Sequence, residues 1–282
     1  MFGLGPHDGR RVTVHPYRRM MAFLMRGRNE SAVYFEQHLD LSRTLPWLAA
    51  RNAREPTRAT LFHLLLHGLA GVLHERERLN RFTIGHRTYQ RTAVCLSFAA
   101  KKGMSDDAPL ATIKRRFPPG EAFDALVREL TAEVGGARSD APSAMDKELA
   151  IVLALPGFLL APSLALLRWL YSLGLAPRAL IDTDPLYTSA FVANLGSLGL
   201  DAAFHHLYEH GNCPLFVTLG QITHVAAPDA GPAASRPQVT IRYTFDERIE
   251  DGLYCARSLQ LLKQRLEDPA AWLGPAERVA AP

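Results

Sequence analysis

Two short stretches hold most of the side chains able to move a proton. In Phe245-Asp246-Glu247-Arg248-Ile249-Glu250-Asp251-Gly252, four carboxylates and one guanidinium crowd eight residues. An ordinary glutamate titrates near about 4.3 and a thiol near about 8.5, so Glu247 is a weak base toward a thiol unless burial raises it. In His205-His206-Leu207-Tyr208-Glu209-His210, three imidazoles and a carboxylate lie within six residues. Imidazole titrates near neutral pH and makes a good general base, so this stretch is either a reactive cluster or the polar packing of a surface helix. A third group, His63, His67 and His74, repeats at spacings of four and seven. That spacing fits a metal pair on one side of a helix, but no third ligand type converges in sequence. The group is therefore read as helix-surface histidines, with no metal.

Each stretch needs a mount. Val239, Ile241, Tyr243 and Phe245 alternate with Thr240, Arg242 and Thr244, which puts an apolar face on one side of a strand. Leu259, Leu262 and Leu266 then recur at helical spacing; Asp251 can accept from free N–H groups of the first turn, and Asp268-Pro269 ends the run. The carboxylate cluster thus falls on a tight turn between a strand and a capped helix. Upstream, residues 18–26 are helix-compatible, and Val33, Phe35, Leu39 and Leu41 read as one face of a half-buried strand. Residues 45–52 read as a helix that tolerates Pro46 in its first turn. Residues 57–78 predict a long helix with Leu61, Leu64, Leu65, Leu69, Val72 and Leu73 as its buried stripe. A strand over 92–99 follows, then a helix over 121–134 carrying Phe123, Leu126, Val127 and Leu130; residues 135–143 read as a loop and hinge.

Residues 151–167 carry no charge, and Arg168 is the single charged residue before Arg178. The length of the apolar segment, 149–177, raises membrane contact. Pro156, Gly157 and Pro162 argue against it, because they free backbone groups that lipid cannot satisfy. The segment is read as helices broken at the prolines and buried against the sheet or a neighbouring subunit, with a greasy wall for a long acyl chain as a further possibility. At 282 residues and 48% hydrophobic content, the chain predicts one domain over 1–282. Cys95, Cys213 and Cys255 are odd in number, far apart and without metal-ligand spacing, and the first residues lack a secretory apolar core, so the expected location is the cytoplasm. The formal charge of +4 comes from basic residues interleaved with acidic ones. No nucleic-acid module surrounds the denser places, Arg10-Arg11, Arg18-Arg19 and Lys114-Arg115-Arg116, which read as solvated faces.

Residues 244–269 resemble the last strand and helix of the catalytic cores of 2-oxoacid dehydrogenase acyltransferases, which share a fold with chloramphenicol acetyltransferase. In that superfamily the turn reads H-x-x-x-D-G, its histidine is the general base for an attacking thiol or hydroxyl, and its aspartate is mainly structural. This chain has Asp251 and Gly252 but carries Glu247 at the histidine position. Residues 189–199, Ser-Ala-Phe-Val-Ala-Asn-Leu-Gly-Ser-Leu-Gly, are similar to the superfamily's T-F-T-I-S-N-L-G, whose hydroxyl helps stabilise the oxyanion. Aligning Asn194-Leu195-Gly196 puts Ala193 at the hydroxyl position. Residues 213–220 resemble the next strand, and a weaker match covers 18–82 with Leu79-Asn80 as its closing turn.

The resemblance implies an α/β fold: a chloramphenicol acetyltransferase-like two-layer sandwich, with helices packed on a mixed β-sheet. It implies a single core domain without a lipoyl or peripheral subunit-binding domain, and a trimer or larger trimer-based assembly, because base and oxyanion donor face each other across a subunit boundary. The candidate site residues are Glu247, Asp251 and Asn194, with His205, His206 and His210 as replacement bases. With both the imidazole and the hydroxyl exchanged, the first reading is a non-catalytic or re-tooled protein acting as a symmetric scaffold or ligand-binding protein. The second is an active CoA-dependent acyltransferase that uses Glu247 or a histidine of 205–210. The third is a membrane-associated partner protein working through 149–177. No covalently bound cofactor is expected; coenzyme A or acyl-CoA is the implied ligand, and a small basic cluster could hold its phosphates.

Overall fold

The computed structural model of the chain describes residues 6–101, 110–137, 156–227, 231 and 234–276. The chain opens with β1 (Gly9–Arg11), α1 (Pro16–Leu24) and β2 (Ala32–Asp40), followed by α2 (Thr44–Asn52) and α3 (Leu61–Glu75). A short 3-10 turn, Glu77–Asn80, leads into the hairpin β3 (Arg81–Ile84) and β4 (Arg87–Arg91). Next come β5 (Cys95–Lys101), β6 (Leu110–Arg116) and α4 (Phe123–Ala137), then α5 (Gly157–Ser172) and α6 (Arg178–Thr183). The last third supplies β7 (Ala190–Asn194), β8 (Leu215–Ala226), β9 (Ser235–Asp246), α7 (Gly252–Glu267) and α8 (Pro269–Leu273).

Six strands form the main sheet in the order β2-β9-β8-β7-β5-β6. The β8/β7 and β7/β5 pairings are parallel and the others antiparallel, so the sheet is mixed. One of its faces carries Leu39, Val239, Ile241, Tyr243, Phe245, Leu215, Val217 and Val192, which join the buried faces of α2, α3, α4 and α7 in one core. The alternation expected of β9 holds: Val239, Ile241 and Tyr243 are fully buried. So does the stripe of α7, where Leu259, Leu262 and Leu266 pack inward, each contributing about 1.5–3 kcal/mol of apolar burial.

Across the opposite face of the sheet runs an extended strap, residues 200–207. Thr218 Oγ1 donates to the Ala203 carbonyl at 2.6 Å, Thr244 Oγ1 donates to the His205 carbonyl at 2.5 Å, and Arg242 reaches the Ala202 carbonyl. A second, three-stranded sheet, β1-β4-β3, is antiparallel and packs Phe82 and Tyr89 against Tyr171 of α5. This joint is closed by a buried polar cluster. Asp8 accepts from Arg91 Nη1 at 2.8 Å, from Asn212 Nδ2 at 2.9 Å and from Tyr171 Oη at 2.6 Å. Burial works to raise the Asp8 carboxyl, but Arg91 and the two hydrogen-bond donors outweigh it and hold it below the usual carboxylate value.

Three expectations change. The helix expected over 57–78 is α3, beginning at Leu61 after an extended Thr60 and ending at Glu75. The stretch 205–210 is not helical; it belongs to the strap and the bend after it. The apolar segment is not broken at Pro162, since α5 runs through it, and it is not buried against the sheet. Phe158 is 77% exposed, Trp169 58% and Leu166 54%; within the helix only Tyr171 is buried. Residues 149–155 of that segment and 138–143 of the expected hinge lie outside the described residues. Among the described residues no helix is long and apolar enough to cross a membrane.

Candidate functional site

The turn between β9 and α7 is fixed from several directions. Asp246, fully buried at the end of β9, accepts from Ser31 Oγ at 2.9 Å and from the Arg248 backbone N–H at 3.0 Å. The Arg248 guanidinium grips the same carboxylate as a fork, Nε at 2.8 Å and Nη2 at 2.7 Å. Next to it, Arg28 donates to the carbonyls of Tyr208 at 3.0 Å, Glu209 at 2.8 Å and Gly211 at 2.6 Å, lashing the end of the strap to the turn. Burial lowers the Arg28 pKa, and the nearby Asp246 carboxylate opposes that shift.

Glu247 is held by its main chain alone. Its N–H donates to the Ser31 carbonyl at 2.9 Å, and its carbonyl accepts from Arg18 Nη1 at 2.7 Å. The carboxylate is half-buried, and among the described residues no hydrogen bond or ion pair holds it. Arg18 also faces Glu250 and Asp251, both at 3.9 Å. Glu250, buried, gathers Arg81 at 3.0 Å and Arg78 at 3.3 Å. Asp251 caps α7, accepting from the Tyr254 N–H at 2.8 Å, and that bond lowers its pKa. Cys255, one turn into α7, has its thiol pushed up to about 12 by burial first and then by Glu250 and Asp251. A cleft of 500 Å³ runs beside the turn, lined by Arg18, Arg78, Arg81, Glu250 and Asp251. Glu247 is not part of its lining, and the cleft's arginines are already committed to Glu250.

The other candidates sit elsewhere on the sheet. Asn194 ends β7 and caps the 3-10 turn Leu195–Leu198, its Oδ1 accepting from the Ser197 N–H at 3.2 Å. Gly196 is required there by close approach: a Cβ would lie 2.3 Å from the Gly220 carbonyl oxygen. Ala193 pairs with Thr218, and Thr218 pairs with Arg242, five residues before Glu247. Five residues along a strand and two strands across amount to roughly 20 Å, so one chain does not bring Ala193 and Glu247 together.

The His205 ring lies flat on Phe216, centroids 3.8 Å apart, and stacks on His206 at 4.7 Å. Its Nδ1 donates to the His206 carbonyl at 2.7 Å; burial lowers its pKa, and this hydrogen bond opposes the shift. His206 Nδ1 donates to the Leu207 carbonyl at 3.1 Å, and His210 pairs with Asp184 at 2.7 Å. Among the described residues no hydrogen bond joins these histidines to Glu247.

The histidines of α3 are tethers rather than free surface groups. His63 Nδ1 accepts from the Thr60 N–H at 3.1 Å at the head of the helix. His67 Nε2 donates to the Glu121 carbonyl at 2.8 Å, and His74 Nε2 to the Phe117 carbonyl at 2.9 Å. No metal-binding group of His, Cys, Asp and Glu occurs among the described residues.

Sequence reading gave Arg18 to a solvated face, whereas its side chain is 12% exposed and faces Glu250 and Asp251; it saw Arg248 and Glu250 only as crowding the turn, and it missed Arg28 and the arginines around Glu250. Their partners lie more than 150 positions away in most cases, as with Arg18 and Glu247, 229 apart, so no local pattern announces them. The one available signal was that Arg18 opens a segment already matched to the core.

The sequence matches no protein-family model and no curated protein. The fold matches solved structures over nearly its whole length. A dihydrolipoamide acetyltransferase of Azotobacter vinelandii is similar at 15% identity and a TM-score of 0.60, covering 92% of this chain and 93% of that one. The cubic core of a pyruvate dehydrogenase multienzyme complex is similar at 16% identity and a TM-score of 0.60, with coverage of 92% and 93%. Chloramphenicol acetyltransferase is similar at 11% identity and a TM-score of 0.56, with coverage of 92% and 98%. The chain has the chloramphenicol acetyltransferase-like fold of the 2-oxoacid dehydrogenase acyltransferase cores.

Proposed function

We propose that this chain is a re-tooled, non-catalytic protein built on the acyltransferase fold, acting as a symmetric scaffold or ligand-binding protein. The observation that carries this reading is the state of the turn at Glu247. In the Azotobacter enzyme, a serine, a histidine and an asparagine four positions after that histidine have been probed for their role in catalysis. Glu247 and Asp251 are also four apart, on the turn that Arg18 clamps. Yet the position that would carry imidazole carries a carboxylate, a poorer base for a thiol, and the adjoining cleft does not take in Glu247. At the other end of the sheet Ala193 offers a methyl where a hydroxyl donor would stand, and losing such a donor lowers rates by about a hundredfold to a thousandfold. The cleft's paired arginines also argue against its holding the phosphates of coenzyme A.

The separation of Ala193 from Glu247 means that a site using both would be shared between copies, as a trimer-based assembly requires. The test is acetyl transfer from acetyl-CoA to dihydrolipoamide. The expected result is no transfer above background for the wild type or for Glu247→Ala. Transfer by the wild type that Glu247→Ala abolishes would overturn the reading.

One observation favours a second reading, an active CoA-dependent acyltransferase with a base from 205–210. Burial lowers the His205 pKa and so favours the neutral imidazole, the form a base needs. Calorimetry with acetyl-CoA decides this reading, which fails if no binding is seen.

A further inference from the structure

Away from the turn, a groove of 750 Å³ opens between the extended stretch after β1, the outer side of α1 and the β3–β4 turn. Its size is that of a small-molecule site. Arg11, Arg19 and Arg87 stand around it, all exposed, and no carboxylate lines it. Among the described residues none of these three guanidinium groups has a hydrogen bond or an ion pair. Their situation differs from that of Arg18, one residue away, whose guanidinium is committed to the turn. Three like charges gathered without a counter-charge repel one another, and a bound anion relieves that repulsion.

The groove is not only cationic. Met20 and Phe23 are 57% and 51% exposed, and the Phe23 ring stacks on His86 with centroids 4.1 Å apart and planes 8° from parallel. His86 Nδ1 donates to the Ala22 carbonyl at 2.9 Å, which holds the imidazole flat against Phe23. The result is a fixed aromatic step beside the three arginines. A lone carboxylate has two oxygens and satisfies one guanidinium fork well, whereas a phosphate presents enough oxygens for several.

We infer that this groove binds a phosphorylated amphiphile, its phosphate held by Arg11, Arg19 and Arg87 and its apolar body laid against Met20 and Phe23. The inference stands apart from the acyltransferase reading, because it uses neither Glu247 nor Ala193. The phosphate belongs either to a free metabolite or to a lipid headgroup.

The test titrates the full chain calorimetrically with decyl phosphate below its micellar concentration, with inorganic pyrophosphate and with decyltrimethylammonium, and adds co-sedimentation with phosphatidylglycerol vesicles. Decyl phosphate is expected to bind about tenfold more tightly than pyrophosphate, since burying its alkyl chain adds apolar contact, and to weaken as salt rises. The variant Arg11→Gln/Arg19→Gln/Arg87→Gln is expected to lose about tenfold or more in affinity for both anions, with an unchanged melting curve because the three side chains are exposed. Phe23→Ser is expected to weaken decyl phosphate alone. Vesicle binding lost in the arginine variant assigns a lipid headgroup, and soluble binding without vesicle binding assigns a free metabolite; both support the site. Equal binding by wild type and arginine variant, binding of decyltrimethylammonium, or no binding of either anion would overturn it.

Discussion

Within the turn, neighbouring acidic residues play opposite parts. Asp246 has both oxygens engaged by a buried guanidinium and a hydroxyl, whereas among the described residues no hydrogen bond or ion pair holds the Glu247 carboxylate. Asp246→Asn would keep the shape but leave Arg248 buried without its counter-charge, and breaking such a pair costs about 3–5 kcal/mol. Urea unfolding is expected to show that loss. Glu247→Gln, by contrast, removes no bond and is expected to change stability by no more than about 0.5 kcal/mol. Near-equal losses in the two variants would mean that Glu247 has a structural role after all. The three thiols follow from burial too: each is raised, Cys255 to about 12. A thiol-specific reagent at pH 8 is therefore expected to react slowly with the folded chain and fast once urea is added.

Helix α3 carries its own pH sensor. His63 accepts a proton-bearing N–H at the helix head, and burial, assisted by Arg51, lowers its pKa from 6.5 to about 4. In the window between those values the unfolded chain binds the proton and the folded chain does not. Stability therefore falls as pH drops through it, by up to about 1.4 kcal/mol per pH unit from this residue. His67, lowered by burial, adds in the same direction. His63→Gln keeps an acceptor at the capping position and is expected to flatten the slope between about pH 6.5 and 4 in urea melts taken across that range. The elements most legible in the sequence were β9 and α7, where Val239, Ile241 and Tyr243 and then Leu259, Leu262 and Leu266 recur at the strand and helix periods, whereas α4 runs on to Ala137, into residues read as a loop. The ends of α3 were not legible, because its cap uses a histidine and Leu79 continues its apolar period past Glu75. The strap over 200–207 could not be read either: its carbonyls are bound by Thr218 and Thr244 from strands met later in the chain. Pro162 was read as a breaker, but the carbonyl it leaves without a donor belongs to Phe158, at the exposed start of α5, where the loss of one bond is open to solvent rather than buried. Of the candidate site, Glu247 and Asp251 were visible as a spacing, while Arg18, Arg78 and Arg81, which fix the turn together with Arg248, come from far upstream.

Taken as one body, the chain leaves a large apolar surface open along α5, where Phe158, Leu166 and Trp169 face outward. Exposed patches of that kind mark contact surfaces, and a neighbouring copy is the occupant that the proposed trimer-based assembly would supply. Leu166→Glu with Trp169→Glu is expected to lower the mass seen in sedimentation velocity toward that of a single chain, with unchanged helical content by circular dichroism. An unaltered mass would place the subunit contact elsewhere. The buried cluster at Asp8 has a practical corollary at the same scale. It ties the start of the chain to β4, to Tyr171 of α5 and to Asn212, so it serves as a latch for three distant segments. Arg10 and Arg11, both exposed, follow directly after that latch. A nick there by a trypsin-like protease would free Asp8 to leave, strand the Arg91 charge in the interior and loosen α5.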